Sequence, residues 1–472
     1  MLQPGEPMRA VMVLGCASGV GKSWVAAALC RLAARRGVRV VPFKAQNLSN
    51  NAAPAIALDG GWGEIGRAQA LQALACGLTP HVDMNPLLIK PLHQGGAEVI
   101  VHGRSTGPLT GLGGEERRAL WWRAITESYA RLDAELVILE GAGSPAEMNL
   151  QATDLVNMRM ARHADAKALL VGDIDRGGVF AALLGTLDLL ATEDRARVAG
   201  LIVNRFRGDP ALFSPGLQPL ADRAGTPVLG VLPFRHDVHL DEEDATTLGG
   251  RPGLLDVCAL RLPTVANFTD LNALSQTPGV GLRYEAAPER VGRPDLLVIP
   301  GSRDTEADLA WMRRLGLDHV VTALAEHTPI LGLCGGYQLL GRRLGDSVGL
   351  GLLPVTTTYA HTKHISPVAS TTTGRWLLPP GLVVKGYEIH LGRTEAVAPL
   401  LDGDGAVEGL VAGTYFHGLL DGAATRLALV NALRARRGLG PQAESAVPDP
   451  LAQLDAAADT VERHLDLRGI LP

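Results

Sequence analysis

The stretch AVMVLGCASGVGKSWVAAALCRLAARRG (10–37) decides the fold. Its first six residues are a short apolar run ending in glycine, which reads as a buried strand. From Trp24 onward apolar residues recur at helical spacing, and Arg35, Arg36 and Gly37 form a helix stop. A strand that feeds a helix through a tight small-residue turn belongs to a parallel sheet covered on both faces.

The turn itself has the chemistry of a phosphate loop. Gly15, Ser18, Gly19, Val20 and Gly21 offer backbone N–H groups at a helix N-terminus, where anions are favoured. Lys22 would reach the β/γ oxygens of ATP, and Ser23 would hold Mg2+. Gly15 lies one position earlier than the pattern GxxxxGKS requires, and Ala17 stands where partition-type and nitrogenase-iron ATPases carry a second lysine. That alanine argues against a dimerising ATPase switch.

Working outward, VRVVPF (38–43), LVILEG (136–141), ALLVGD (168–173) and GLIVNR (200–205) read as further buried parallel strands. Glu140, at a strand end beside the loop, is placed to bind Mg2+ directly or through water. Asn204 either contacts a nucleotide base or serves as a turn residue. Asp173, Asp175 and Arg176 follow a strand end and could bind metal, hold a phosphate region or cap the next helix.

The alternation stops in the polar, Gly-rich RHDVHLDEEDATTLGGRPG (235–253). The expected units are therefore 1–245, an ATP-binding domain, and 253–445, a second α/β domain, followed by a helical tail over 446–472. Strands of the second unit are LDVCALRL (255–262), VGLRYEA (280–286), DLLVIPG (295–301), PILGLC (329–334) and GTYFHG (413–418).

In GLCGG (332–336) a cysteine stands between a strand and the helical YQLLGRRLG. Small flanking residues permit the sharp turn of a nucleophile elbow with Cys334 as the nucleophile, and a helix N-terminus favours thiolate. The N–H of Gly335 and that of Gly301 can serve as oxyanion donors. The base should be a histidine distant in sequence; His417 is the first candidate and His390 the second.

Composition limits the classes. The chain has 472 residues and a net charge of −5 with both signs scattered, so neither a nucleic-acid nor a membrane surface is indicated. Five cysteines without close pairing suggest a reducing cytoplasm rather than a disulfide framework. The N-terminal residues lack a secretory pattern, and no apolar run is long enough to span a bilayer.

GLCGGYQLLG with GTYFHG resembles the triad-type glutamine amidotransferase domain of the cobyrinate-amidating branch, and the first half resembles dethiobiotin synthetase-like ATPases. PFKAQNLSNNA (42–52), EIGRAQALQA (64–73), HVDMNPLLIKP (81–91), EGAGSPAEMNL (140–150), DIDRGGVFAALLGT (173–186), VNRFRGD (203–209) and KGYEIHLG (385–392) are similar to the cobyric acid synthase family, in order along the chain. The a,c-diamide synthases share the plan but generally lack PFKxQN and DIDRGGVFA, so they rank second. Most triad amidotransferases have glutamate two residues after the histidine; Leu419 stands there, as in the cobyrinate branch, which leaves open what orients His417.

The resemblance implies ATP- and glutamine-dependent amidation of the b, d, e and g carboxylates of (adenosyl)cobyrinic acid a,c-diamide. Glutamine would be hydrolysed at Cys334, with His417 as base. Lys44, Gln46, Asn47, Asn50, Arg67, Gln69, Asn85 and Lys90 lie in the matching strings and are candidates for binding the corrin.

Overall fold

The structure is a computed structural model describing residues 8–92, 96–109, 114–240, 252–443, 447 and 449–472. The expected divisions at 245 and 445/446 lie outside the described residues. Among those described, no helix is long and apolar enough to cross a membrane.

Six parallel strands form the first sheet: β1 (Arg9–Gly15), β2 (Val40–Phe43), β3 (Leu136–Glu140), β4 (Lys167–Asp173), β5 (Val198–Phe206) and β6 (Val228–Pro233), in spatial order β6-β5-β4-β1-β3-β2. Because successive side chains point to opposite faces, each strand feeds two cores. Met12 and Leu14 pack with Leu139 and Leu170 on one side; Val11 and Val13 pack with Ile138 and Val171 on the other. That double burial is why these strands read as unbroken apolar runs.

Helix α1 (Lys22–Arg35) starts at Gly21 in the left-handed conformation, φ 94°, and lies against the second of these cores. A nine-residue helix α2 (Arg67–Ala75) packs beside it. The C-terminal segment is also helical, but it returns to the first sheet. Leu454, Ala457, Ala458 and Val461 of this helix (Pro450–His464) are buried in the same core as α1. Arg31 pairs with Asp455 at 2.7 Å, and Arg35 with Asp459 at 2.6 Å. The helix needs that apolar partner, and α1 needs the cover.

The second sheet comprises β7 (Leu255–Leu260), β8 (Val280–Glu285), β9 (Leu296–Ile299), β10 (Ile330–Leu333), β13 (Ala406–Glu408) and β14 (Val411–Thr414), ordered β8-β7-β9-β10-β14-β13. All neighbours are parallel except the β13 edge. Between β10 and β13 lies a long antiparallel hairpin, β11 (Thr356–Thr371) and β12 (Val383–Thr394). Its Tyr387 and Ile389 pack with Ala52, Leu88 and Ile100 of the first half, so an apolar seam joins the halves. Beside the seam runs a buried charge chain: Glu64 contacts Lys90 and Lys363, and Glu98 contacts Lys363 and Arg303.

Candidate active site

The loop between β1 and α1 is tightly constrained. A Cβ on Gly15 would lie 2.6 Å from Val20, and one on Gly21 would lie 2.2 Å from the Asn204 amide. The Lys22 ammonium donates to the carbonyls of Ala17 (2.9 Å) and Gly143 (3.0 Å), so it lies over the loop. Ser23 donates to Glu140 at 2.7 Å. Lys44 donates to the same Glu140 oxygen at 3.0 Å, and Gln72 of α2 to the other at 2.5 Å. Burial alone would raise the Glu140 carboxyl; the Lys44 ammonium and the hydrogen bonds from Ser23, Lys44 and Gln72 outweigh it and hold it below the usual carboxylate range. Ser23 and Glu140 thus offer two adjacent hard oxygen donors, the donor chemistry Mg2+ takes.

Lys22, Ser23, Lys44 and Glu140 line a cavity of about 1430 Å³ that extends to Phe268, Asn272 and Tyr284 of the second half. A single small ligand typically occupies roughly 300–1,000 Å³; this cavity has room for a nucleotide and a bulky second molecule. Arg176 and Arg205 also line it. A Cβ on Gly19 would come within 3.1 Å of the Arg176 guanidinium, which brings that cation to the phosphate loop.

In the second half, Cys334 sits at the end of β10 with φ 49° and ψ −105°, before a short helix α3 (Gly335–Leu340). Such a backbone conformation is uncommon for a non-glycine residue and marks a strained elbow. It is held because Cys334 N–H donates to Thr414 O at 2.8 Å and because glycines follow. A Cβ on Gly336 would lie 1.9 Å from Ile299 O, and one on Gly335 would lie 2.5 Å from Ser302 N. The segment Gly301–Ser302 therefore runs directly against Gly335, bringing the two expected oxyanion glycines together. Cys334 is half-buried, with its sulfur 3.7 Å from Ile389 O.

His417 lies three residues beyond β14 and is 1% exposed. Its Nδ1 is 2.7 Å from Asp270 Oδ2, and Asp270 also accepts from the Gly418 N–H at 3.1 Å. Burial alone would lower the ring; the Asp270 carboxylate, followed by the Cys334 sulfur, outweighs this and pushes it up to about 10. Tyr387 stacks on His417 with centroids 5.0 Å apart. The second candidate base, His390, is directed elsewhere: Nδ1 meets Gly392 O at 2.7 Å, and the ring stacks on Tyr415.

Sequence reasoning did not find Asp270. It stands in ANFTDLNAL (266–274), 147 residues from His417, on the short helix Phe268–Leu271, and no motif spacing links the two. The available signal was an acid four residues beyond the short strand Val265–Ala266. Asn267, at φ 50°, sits beside it; its amide lies 3.2 Å from His417 Nε2, and its oxygen accepts from Ala52 N–H of the first half at 2.9 Å.

The residues expected to bind substrate occupy different places. Lys44, Gln46, Asn47 and Arg176 line the cavity. Gln69 is fully buried and accepts from Asn47 at 2.8 Å. Asn85 is buried and hydrogen-bonds the backbone of Lys44, Gly66 and Leu87. Lys90 is buried on Glu64. Asn50 is not part of the cavity lining, and Arg67 reaches across the seam to the Tyr387 hydroxyl at 3.1 Å. Gln69, Asn85 and Lys90 are thus held by partners within the first half, whereas Arg67 contacts the second. Asp173 pairs with Arg205 at 3.1 Å and Asp175 with Arg207 at 2.7 Å, so these acids hold arginines near the cavity. Asn204 donates to Val20 O at 2.9 Å, bracing the loop.

Fold and site together define a glutamine amidotransferase domain joined to a nucleotide-binding domain. Residues 11–248 match the CobQ/CobB/MinD/ParA nucleotide binding domain family, and residues 256–425 the CobB/CobQ-like glutamine amidotransferase domain family. Curated relatives include the cobyric acid synthase of Desulforudis audaxviator (strain MP104C), 47% identical over 98% of this chain and 99% of its own. That of Moorella thermoacetica is 44% identical over 97% and 96%, and that of Sorangium cellulosum 44% over 97% and 96%. The chain belongs to the cobyric acid synthase family.

Proposed function

We propose that the chain uses ATP and glutamine to convert the b, d, e and g carboxylates of (adenosyl)cobyrinic acid a,c-diamide into carboxamides. The observation that carries this reading is one chain holding both a strained Cys334 beside His417 and a phosphate loop opening on a cavity large enough for nucleotide and macrocycle.

The chemistry requires both parts. A carboxylate resists ammonia because its carbon is shielded by charge and its oxygen is a poor leaving group. Phosphorylation by ATP gives an acyl phosphate, whose leaving group is good. Lys22 and Arg176 are suited to holding the transferring phosphoryl group, and Lys44, Gln46 and Asn47 to orienting the substrate carboxylate. Mg2+, held by Ser23 and Glu140, would neutralise phosphate charge.

In the other half, His417 takes the proton of Cys334, the thiolate attacks the glutamine carboxamide, and the N–H groups of Gly301 and Gly335 stabilise the oxyanion. Asp270 acts through His417 as a positioning residue. Ammonia leaves, and water then releases glutamate from the thioester. Five free thiols suit a cytoplasmic setting.

The test is incubation with the a,c-diamide, ATP, Mg2+ and amide-15N glutamine, followed by mass spectrometry. Stepwise products ending in a tetra-amidated, 15N-labelled corrin are expected. Amidation only of fully carboxylic cobyrinic acid would instead assign the a,c-diamide synthase reaction.

A further inference from the structure

We propose that His364, Glu388 and His390 form a binding site for a first-row divalent transition metal, with Zn2+ the closest match, on the hairpin beside Cys334. Pairing register brings the three together. His364 of β11 lies opposite His390 of β12, and Glu388 lies two residues before His390, hence on the same face. The intervening Ile389 packs into the seam between the halves.

The spacing has the dimensions of a coordination shell. His364 Nε2 is 3.2 Å and His390 Nε2 is 3.3 Å from the same oxygen of Glu388, and the ligand atoms all lie within 4.8 Å of one another. A tetrahedral ion with bonds of about 2.0–2.1 Å separates its ligands by roughly 3.3 Å. The donor set, two imidazoles and one carboxylate, is also one that Zn2+ uses when a fourth position stays open. Mg2+, which prefers oxygen alone, is disfavoured.

The hydrogen bond at His390 Nδ1 supplies an independent argument. The Gly392 carbonyl can only accept, so its 2.7 Å contact requires the proton of His390 to sit on Nδ1. In the neutral ring, Nε2 then turns a lone pair toward Glu388. His364 directs its Nε2 at that same carboxylate oxygen. One divalent cation satisfies all three groups. The hydrogen bond to Gly392 is also the kind of outer contact that orients a ligating imidazole.

Access and rigidity fit. His390 is fixed by stacking on Tyr415 at 3.8 Å, whereas His364 is 36% exposed in its side chain and opens the site to solvent. Since Ile389 O touches the Cys334 sulfur, an ion here would tie down the strand that walls the thiol.

The experiment uses the full chain, stripped with a chelator, in wild-type form and as His364→Gln and Glu388→Gln. Zn2+ is titrated in competition with a chromophoric chelator, Mg2+ serves as comparison, and Co2+ serves as spectroscopic probe. One submicromolar Zn2+ site is expected in the wild type, with affinity reduced about 100-fold or more in His364→Gln. Zn2+ should raise the melting temperature of the wild type but not of that variant. Four-coordinate Co2+ should give visible d–d bands without sulfur-to-metal charge transfer. Equal Zn2+ affinity in wild type and His364→Gln, or a Co2+ spectrum dominated by thiolate ligation, would overturn the assignment.

Discussion

Asp270 Oδ2 lies 2.7 Å from Nδ1 of His417, although 147 residues separate them. This contact fixes the imidazole with Nε2 available to Cys334, and it supplies the orienting carboxylate whose usual place two residues after the histidine is taken by Leu419. Asp270→Asn keeps the shape but loses the charge that raises His417. Glutaminase kcat should fall by about 10²–10⁴ with KM little altered. Alkylation of Cys334 by iodoacetamide at neutral pH should slow, and Asp270→Glu should recover part of the rate. An unchanged kcat in Asp270→Asn would remove Asp270 from its positioning role.

Glu140 is held by Ser23, Lys44 and Gln72 at the mouth of the phosphate loop. Lys22→Ala and Glu140→Gln should each lower ATP-dependent amidation by about two orders of magnitude or more. Glutamine hydrolysis at Cys334 should persist in both. Separate assays of glutamate release and corrin amidation decide this; equal loss of both activities would contradict separate sites.

The seam between the halves should be acid-labile. Burial alone would raise the Glu64 carboxyl, but Lys363, Lys90 and Arg303 hold it well below its ordinary value of 4.5. A carboxylate depressed on folding contributes stability above its unfolded pKa, and that stability is lost as pH falls toward the folded value. Wild-type melting temperature should therefore drop below about pH 4.5. Glu64→Gln should be less stable at neutral pH and show a shallower acid limb. Parallel limbs for the two proteins would exclude Glu64 as the source.

Leu454 is fully buried between the C-terminal helix and α1. Leu454→Ala should cost about 2–5 kcal/mol in denaturant unfolding. Since α1 begins at Lys22, weaker nucleotide binding should accompany that loss. A variant with unchanged stability would show that the helix is not an integral cover of the first sheet.

Both parallel sheets were legible because doubly buried strands are short, apolar and bounded by glycine. The phosphate loop and the cysteine elbow were legible because their backbones demand small residues at fixed positions, as the crowding at Gly21, Gly335 and Gly336 shows. Contacts between segments distant in the chain carry no such local signature. Asp270 meets His417, Arg67 meets Tyr387 and Lys90 meets Glu64 only through tertiary packing, and buried ion pairs look like solvated surface charges in a sequence. The amphipathic tail announced a helix but not the face it would cover. The long hairpin was also hidden, because one face lies in the seam and the other carries histidines and glutamate.

The central claim is that Cys334 liberates the nitrogen that the nucleotide half captures. Amidation of the a,c-diamide by Cys334→Ala, with glutamine or with ammonium salt as nitrogen source, tests it most directly. The account predicts normal ATP-dependent amidation from ammonium and none from glutamine, against both in the wild type. Amidation from glutamine by Cys334→Ala, or none from ammonium in a folded variant, would contradict it.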